Sequence, residues 1–408
     1  MSEPASQKVA PWRECTLADV AFVVGGGTPS RAVPKFWNGS IPWATPGDIT
    51  SCQTNTLITT KEHISQSGLR ASAAKPVPPG SVLMTSRATV GECRLAGTWV
   101  CTNQGFKNLV PKEGVDGRFL MYQMQFRRHQ YENLGIGTTF LEVSKKDTEN
   151  FVLHLPPTSD EQRRIADLLS AVDEQIQLLD AEAAKESMRA LALLQALLPA
   201  GFAVENPPKN RLMDALWGIE AGKSFMCSDM PAPEGAWGVL KVSAVRPEGF
   251  VSSENKQVED LSLVNPQYEV AGGDLLMTRA NTPELVGAAC YVVAPQRRLL
   301  LCDKTLRLRP KPEVLPQYLW LWLQTPVARR HVEAHATGTS AGMKNISQAA
   351  IRSLPLTMPA PDKQAALVRP IAALYEHIRY LRTSSSKMRK LKSGLSARLL
   401  IPGAIQDK

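Results

Sequence analysis

Two groups of polar and basic residues, one in each half of the 408-residue chain, have side chains that can hydrogen-bond to DNA. Arginine, lysine, asparagine and glutamine match base edges, while serine, threonine and basic side chains bind phosphates. The first group is Thr28, Ser30, Arg31, Arg87, Asn103, Gln104, Lys107, Thr138, Thr139 and Lys145. The second group is Lys223, Ser224, Arg279, Asn281, Lys304, Thr339, Ser340 and Lys344. Several members occupy corresponding places in the two halves. We therefore predict a DNA-facing surface, although any single one of these loops can equally be a solvated loop.

The net charge favours the same kind of partner. The chain has 47 Lys and Arg residues against 38 Asp and Glu residues, a formal net charge of +9. Such an excess favours a polyanion, and nucleic acid is the commonest one. Many soluble proteins are mildly basic, so charge alone does not separate a DNA-binding protein from other basic proteins.

Motifs for catalysis are incomplete. Residues 25–27 (Gly-Gly-Gly) lack the spacing of a dinucleotide-binding or phosphate-binding loop and predict a turn. Residues 206–209 (Asn-Pro-Pro-Lys) resemble the Asn-Pro-Pro-aromatic motif of adenine N6-methyltransferases, but Lys209 replaces the ring that stacks on a flipped base. His331 and His335 have the i, i+4 spacing of metal ligands, without an evident third ligand. We predict that the chain has no catalytic or metal site.

The cysteines and the hydropathy pattern bear on the compartment. Seven cysteines without a Cys-x-x-Cys pair predict free thiols in a reducing cytoplasm. Residues 1–11 lack the apolar core of a signal peptide. No apolar stretch approaches the length of about 18 residues that a membrane span needs, so none is expected.

The chain repeats itself at a separation of about 190–200 residues. Residues 80–87 (Gly-Ser-Val-Leu-Met-Thr-Ser-Arg) are echoed by residues 273–279 (Gly-Asp-Leu-Leu-Met-Thr-Arg). Residues 137–139 (Gly-Thr-Thr) are echoed by residues 338–340 (Gly-Thr-Ser). A repeat of this length is a duplicated domain, because solenoid units have only about 20–50 residues. We predict two similar mixed α/β domains, each followed by a long helix.

Each predicted long helix has an apolar seam at steps of three or four residues. The first seam runs from Ile165 through Leu168 and Leu191 to Leu198, and the second from Leu367 to Leu399. The first helix is rich in acidic residues and the second in basic residues. Matching seams of opposite charge favour an antiparallel coiled coil that spaces the domains at a fixed distance. In the alternative, each helix caps its own domain.

The start of the first long helix has a further signal. Ser159 and Gln162 have the spacing of a capping box, which predicts that the helix begins there. Pro199, Gly201, Pro207 and Pro208 would end it and form a linker.

The predicted fold class is α+β, with two similar mixed α/β domains separated by two long helices packed as an antiparallel coiled coil. Each domain should contain a core helix, at residues 119–126 and 318–323. The predicted boundaries follow the order of the chain. They are residues 1–158 for the first domain, 159–198 for the first helix, 199–210 for the linker, 211–360 for the second domain and 361–402 for the second helix.

Two motifs are similar to those of type I restriction–modification specificity subunits. Residues 26–30 (Gly-Gly-Thr-Pro-Ser) and 36–49 (Phe-Trp-Asn-Gly-Ser-Ile-Pro-Trp-Ala-Thr-Pro-Gly-Asp-Ile) resemble the opening of a target recognition domain in that family. Residues 155–157 (Leu-Pro-Pro) and 161–169 (Glu-Gln-Arg-Arg-Ile-Ala-Asp-Leu-Leu), with Asp173, resemble the start of the family's spacer helix. The second half lacks the Gly-Thr-Pro and Ile-Pro-Trp opening, which leaves the contacts of its half-site open.

The resemblance implies a non-catalytic specificity subunit that acts in phage defence. Each recognition domain would read one half of a bipartite target in double-stranded DNA, and the helices would set the gap. Two methyltransferase subunits, which bind S-adenosylmethionine, would dock on the free helix faces and methylate adenine N6. Restriction subunits that use ATP and Mg²⁺ would join where the system cleaves DNA. The chain itself would hold no cofactor.

Two other classes of protein are alternatives. A self-sufficient methyltransferase would need a cofactor loop and an intact Asn-Pro-Pro-aromatic motif. A scaffolding coiled-coil protein with non-specific DNA affinity would need only the helices and the basic charge. Replacing Arg87 or Arg279 with alanine would leave the DNA binding of such a scaffold unchanged.

Overall fold

The computed structural model of the chain describes residues 12–87, 89–135, 142–201, 203, 205, 207–224, 227–338 and 342–402. The chain divides into two compact units. The first unit contains Met1–Leu179 and Ser385–Lys408, and the second contains Asp180–Ser384.

The first unit contains both helices and strands. Its strands are β1 (Arg13–Thr16), β2 (Ala21–Gly25), β3 (Trp37–Ala44), β4 (Thr56–Leu57), β5 (Glu62–Ile64), β6 (Val82–Met84), β7 (Cys93–Ala96), β8 (Cys101–Thr102), β9 (Lys107–Pro111) and β10 (Val152–Leu155). Its helices are α1 (Leu17–Val20), α2 (Pro46–Ser51), α3 (Gln66–Arg70), α4 (Gly117–Phe126), α5 (Arg128–Glu132), α6 (Lys145–Glu149) and the beginning of α7 (Ser159–Leu197).

Two sheets and a strand pair organise the first unit. The larger sheet has the order β2-β9-β6-β7-β4, and the smaller has the order β5-β3-β8. In the larger sheet, β9 is antiparallel to β2 and β6. In the smaller sheet, β3 is antiparallel to β5 and parallel to β8. The first strand, β1, pairs antiparallel with β10 just before α7 begins.

Helix α4 packs its apolar side into the core of the first unit. The Asp116 side chain accepts hydrogen bonds from the first amides of α4 and caps the helix. Phe119 and Leu120 are fully buried in one cluster with Leu169 of α7 and Leu400. The first unit therefore includes the beginning of one long helix and the end of the other.

The second unit also mixes helices and strands. Its strands are β11 (Asn210–Arg211), β12 (Leu216–Ala221), β13 (Gly238–Leu240), β14 (Val245–Arg246), β15 (Gly249–Phe250), β16 (Asn255–Gln257), β17 (Leu275–Thr278), β18 (Ala280–Asn281), β19 (Ala289–Tyr291), β20 (Leu299–Leu300), β21 (Thr305–Pro310), β22 (Lys344–Asn345) and β23 (Pro355–Leu356). Its helices are α8 (Pro316–Trp322), α9 (Pro326–His335), α10 (Gln348–Arg352) and the beginning of α11 (Pro361–Leu399).

The strand order of the second unit repeats that of the first. The larger sheet, β12-β21-β17-β19, corresponds to β2-β9-β6-β7, and the smaller sheet, β16-β13-β20, corresponds to β5-β3-β8. Strand β13 is antiparallel to β16 and parallel to β20, as β3 is to β5 and β8. Strand β11 pairs with β23 as β1 pairs with β10. The predicted fold class, with two similar mixed domains and two long helices, is confirmed.

Within each unit the two long helices run antiparallel. In the first unit, Leu169 shares a core cluster with Leu400, and further along α7 the Asp173 carboxylate lies 2.7 Å from Nζ of Lys392. In the second unit, Glu182 approaches His377 to 3.7 Å, and Leu194 shares a core cluster with Ile371. Each core thus includes a part of both helices, so the alternative in which each helix caps only its own domain is wrong.

Three positions of the predicted seams are wrong, and Leu391 of the second seam is one of them because it is 50% exposed. Leu168 and Leu191 are exposed, whereas their neighbours Leu169 and Ala190 are buried. The buried positions follow the 3.6-residue period of a helix face. Leu168 and Leu191 lie one position away from that face, which an apolar pattern alone does not distinguish.

The predicted capping box at the start of α7 is also wrong. Thr158, not Ser159, accepts a hydrogen bond from the Glu161 amide, at 3.2 Å. Gln162 instead accepts from the Asp116 amide at 2.9 Å and donates to the Gly114 carbonyl at 3.3 Å.

Gln364 plays the same part at the start of α11. It accepts from the Leu315 amide at 2.8 Å and donates to the Glu313 carbonyl at 3.2 Å. Both glutamines are buried. Each therefore ties the start of a long helix to the loop before the core helix of its unit.

Replacing Gln162 with alanine is expected to destabilise the first unit by about 1–3 kcal/mol, because its side-chain hydrogen bonds to the Asp116 amide and the Gly114 carbonyl are both lost. Urea unfolding of the full chain measures the effect, with Gln175→Ala, an exposed position on α7, as the matched control. Equal unfolding of the two variants would show that Gln162 does not hold the helix start.

The predictions from cysteines and hydropathy can be compared with the structure. Cys15, Cys93, Cys101, Cys290 and Cys302 are buried free thiols, and burial raises the pKa of Cys101 to about 11. Of the helices in the described part of the chain, none combines the length and the apolar character of a membrane span.

Candidate nucleic-acid interface

The first unit brings two predicted loops side by side. The Gly27 amide donates to the Thr102 carbonyl at 2.8 Å. A Cβ atom on Gly26 would lie 1.9 Å from the Asn103 carbonyl oxygen, so only glycine permits this approach. As a result, the hydroxyl of Thr28 donates to Oε1 of Gln104 at 2.5 Å on the exposed surface.

Arg87 is held beside the same loop. The amide of Ser86 donates to the Gly105 carbonyl at 2.7 Å, and the Val143 amide donates to the Ser86 carbonyl at 3.1 Å. Arg87 forms an antiparallel bridge with Glu142, and their side chains meet with Nη2 2.7 Å from Oε2. Thr28, Asn103, Gln104 and Arg87 therefore belong to one group of neighbouring loops.

Lys107 lies beneath this surface rather than on it. The residue is 9% exposed. Its Nζ lies 3.2 Å from Oγ of Ser86 and 3.6 Å from Oε1 of Glu142. Burial lowers the pKa of Lys107, and the Glu142 carboxylate opposes that effect. The hydrogen bond from Arg87 lowers the pKa of Glu142, which keeps this carboxyl ionised at neutral pH.

Arg31 is also occupied within the first unit. Its guanidinium lies 3.8 Å from the ring centroid of Trp37 and donates to both carboxylate oxygens of Glu62. The indole of Trp37 donates to the Ser30 carbonyl at 3.1 Å. Lys145 is exposed on α6, 3.4 Å from Glu149. Thr138 and Thr139 lie outside the described residues.

The second unit brings four predicted residues together. The Arg279 amide donates to the Lys304 carbonyl at 2.8 Å. Asn281 pairs with Lys344 between β18 and β22. Nζ of Lys344 donates to the Gly338 carbonyl at 2.9 Å. Arg279 and Lys304 are exposed, and within the described ranges neither side chain has an ion pair.

Lys223 and Ser224 follow a second close approach of glycine. A Cβ atom on Gly222 would lie 2.0 Å from the Leu301 carbonyl oxygen. This contact places the loop against the segment before β21, as Gly26 places its loop against the segment before β9. Lys223 and Ser224 are exposed there. Thr339 and Ser340 lie outside the described residues.

The structure corrects the alignment of the two arginines. Gly91 donates to the Thr85 carbonyl and Gly287 to the Thr278 carbonyl, at 2.9 and 3.0 Å, which makes the two threonines equivalent. Arg279 therefore occupies the place of Ser86, and the backbone amides of both residues donate to the segment just before the equivalent strands β9 and β21. Arg87 corresponds to Ala280, and Glu142 corresponds to Asn345, which pairs with Ala280.

The two histidines of α9 stack on each other, and one of them hydrogen-bonds to the backbone. Their rings stack with centroids 4.1 Å apart, and Nε2 of His331 lies 2.8 Å from the Ala350 carbonyl, to which it donates. Burial lowers the pKa of His331. The described segments contain no group of three or more His, Cys, Asp or Glu side chains that could hold a metal ion. Asn206, of the Asn-Pro-Pro-Lys segment, lies outside the described residues.

Comparison with known proteins matches part of the first half of the chain to a family. Residues 10–185 match the family described as type I restriction modification DNA specificity domain. The chain is 31% identical over 169 residues to the type I restriction enzyme MjaIX specificity subunit of Methanocaldococcus jannaschii, which covers 41% of this chain and 39% of that protein. It is 31% identical over 199 residues to the type I restriction enzyme EcoEI specificity subunit of Escherichia coli. That alignment covers 48% of this chain and 32% of that protein. The chain thus matches less than half the length of these curated relatives.

A solved structure resembles nearly the whole chain. The crystal structure of the type I restriction-modification system S subunit from M. genitalium superposes with a TM-score of 0.61. The superposition covers 98% of each chain at 14% sequence identity. At this identity the likeness establishes a shared fold, including the second half that the family match does not reach.

Proposed function

We propose that this chain, whose residues 10–185 belong to the family of type I restriction-modification DNA specificity domains, is the DNA-binding specificity subunit of such a system. The observation that carries the proposal is the repeated strand order of the two units, each of which places basic and amide side chains on neighbouring loops. Two similar readers in one chain suit a DNA target in two parts. Each recognition domain, residues 1–158 or 211–360, is called a module below. Each module reads one half-site in double-stranded DNA.

The first module offers Arg87, Asn103 and Gln104 to base edges. An arginine forms two hydrogen bonds with guanine, and asparagine or glutamine forms two with adenine. Thr28, Ser30, Thr138, Thr139 and Lys145 bind phosphates in this proposal. Arg31 and Lys107 both lie beside carboxylates, so we propose that they stabilise the DNA-facing surface. Of the two, only the exposed Arg31 also contacts DNA in this proposal.

The second module offers Arg279 and Asn281 to base edges. The residues that we assign to phosphates are Lys223, Ser224, Lys304, Thr339, Ser340 and Lys344. Because Arg279 and Lys304 are exposed and have no ion pair within the described ranges, no carboxylate there competes with DNA for them. The two modules therefore read with different residues, which suits two different half-sites.

The long helices set the gap and dock partners. We assign residues 159–198 and 361–402 to the spacer, 199–210 to the linker, and 1–158 and 211–360 to the recognition domains. Leu178, Met188 and Leu191 are exposed apolar residues of α7. Large exposed apolar side chains are typical of protein interfaces, and here they would contact two methyltransferase subunits.

Chemistry belongs to those partners. The chain is non-catalytic, and the methyltransferase subunits bind S-adenosylmethionine and methylate adenine N6. Restriction subunits with ATP and Mg²⁺ complete the complex where DNA is cleaved. In this proposal the complex acts in the cytoplasm, where it has access to DNA and where thiols remain reduced.

Replacing Arg87 or Arg279 with alanine is expected to relax one half-site each, by about tenfold in base preference, because one bidentate contact is lost. Sequence selection from a random duplex library, by the complex of the full chain with its methyltransferase partner, measures the preference. Arg164→Ala, an exposed position on α7, is the matched control and should leave both half-sites unchanged. DNA binding unaffected by either substitution would favour the scaffold alternative.

A further inference from the structure

We infer that Glu142 is a positioning residue for DNA reading in the first module: its carboxylate presets the Arg87 guanidinium toward one base pair. The inference rests on the proposed function and deepens it. The DNA-facing residues predicted from the sequence do not include Glu142, because phosphates repel an acidic side chain. Its contacts nevertheless join it to two predicted DNA-facing residues, Arg87 and Lys107.

The backbone fixes both partners before their side chains meet. Arg87 and Glu142 form an antiparallel bridge, and the adjacent Val143 amide donates to the Ser86 carbonyl. The distance of 2.7 Å between Nη2 of Arg87 and Oε2 of Glu142 then restrains a side chain that otherwise has many rotamers. A guanidinium restrained in advance loses less conformational entropy when it binds a base.

A second cation holds the carboxylate from the interior. Nζ of Lys107 lies 3.6 Å from Oε1 of Glu142, while Arg87 contacts Oε2. Lys107 is buried and also lies within hydrogen-bond distance of Ser86. The Arg87 side chain is 46% exposed, so one side of its guanidinium is free to face DNA. Two cations and one carboxylate leave the cluster positive, which suits both a guanine edge and the nearby phosphates.

The pairing contributes little to folding in comparison with its effect on geometry. The Arg87 side chain is 46% exposed and the Glu142 side chain is 35% exposed. Ion pairs that are this exposed add little stability. The Arg87–Glu142 contact therefore has its main effect on where the arginine points, whereas the Lys107 contact fixes the carboxylate in the fold.

The second module lacks this arrangement. Ala280 and Asn345 occupy the places of Arg87 and Glu142. Arg279 emerges one residue earlier, from the place of Ser86, and has no ion pair within the described ranges. Only the first module therefore has an arginine restrained by a carboxylate at this place. The half-site of the second module serves as an internal control, because a change at Glu142 should not affect it.

The test compares Glu142→Gln with the unaltered chain, each in complex with the methyltransferase partner, by selection from a random duplex library. We expect base preference to fall about tenfold at one position of one half-site while the other half-site keeps its preference, even where loss of the Lys107 contact lowers the melting temperature. The salt dependence of binding should keep its slope, because no phosphate contact is removed. Adding Arg87→Ala to Glu142→Gln should cause no further loss at that position, because the carboxylate acts through Arg87.

Glu62→Gln is the matched control, since Glu62 also pairs with an arginine of the first module. It should leave the position that Glu142 affects unchanged. Tighter sequence-specific binding by Glu142→Gln would overturn the inference, because Glu142 would then mask Arg87. Equal weakening of both half-sites with a lower melting temperature would also overturn it, in favour of a structural role. If the unaltered chain selects no two-part sequence, the proposed function fails; if it does and Glu142→Gln selects the same sequence, only the positioning role fails.

Discussion

Replacing Asp173 with alanine is expected to destabilise the first unit by about 3 kcal/mol, the lower end of the cost of removing one partner from a buried ion pair, because this pair is part-buried. The Asp173 carboxylate accepts from Asn55 at 2.6 Å, from the hydroxyl of Tyr122 at 2.8 Å and from Lys392 at 2.7 Å. Its side chain is only 14% exposed. Alanine would remove the acceptor that three donors share, including a charged ammonium. Urea unfolding of the full chain, followed by tryptophan fluorescence, measures the effect.

The matched control is Asp167→Ala on the same helix. Asp167 is 63% exposed and pairs with Arg118 at 2.7 Å, so its loss should cost less than about 1 kcal/mol. Equal destabilisation by the two substitutions would show that Asp173 does not join the helices to the first module. The network connects α4, the beginning of α7 and the end of α11 within one unit, so its loss should also weaken the half-site that the first module reads.

Lengthening both long helices by one turn is expected to widen the gap of the DNA target and leave both half-sites unchanged. Four added residues lengthen a helix by about 6 Å, close to the rise of two base pairs. The insertions are placed after Leu179 in α7 and after Ser384 in α11, where the two compact units divide. The gap is measured as the spacing between the two methylated half-sites, in the complex with the methyltransferase partner.

Insertion into one helix alone is the control. It shifts one seam against the other, so a lower melting temperature and loss of methylation are expected instead of a new gap. Adding seven residues to both helices adds about two full turns, so the apolar seams stay on nearly the same helix faces. The added length of about 10 Å should widen the gap by about three base pairs. Changed half-sites with an unchanged gap would contradict the spacer role.

Local and periodic features could be predicted from the sequence. The core helices at Gly117–Phe126 and Pro316–Trp322, and the long helices at Ser159–Leu197 and Pro361–Leu399, follow from runs of apolar residues at helical spacing. The duplication was evident in short echoes, and the structure extends it to the order and direction of the strands. These features depend on residues that are close in sequence or repeated.

Partners far apart in sequence could not be predicted. Glu142 meets Arg87 across 55 residues of chain, and Glu62 meets Arg31 across 31. The role of Gln162 was assigned to its own helix because the capping pattern is local, whereas its actual partners precede α4.

The alignment of Arg87 with Arg279 failed for a related reason. The two halves differ by one residue before the arginine, and only the hydrogen bonds of Thr85 and Thr278 reveal the shift. A shift of one residue in extended backbone moves a side chain to the opposite face. Equivalent residue types in the two halves therefore do not guarantee equivalent roles.

The proposal as a whole is tested most directly by a map of DNA methylation. The chain is co-expressed with its methyltransferase partner in a host without its own adenine methylation, and N6-methyladenine is located by long-read sequencing. We predict methylation in a two-part motif with a fixed gap. A complex that assembles and yet methylates no such motif would contradict the specificity role and favour a scaffold.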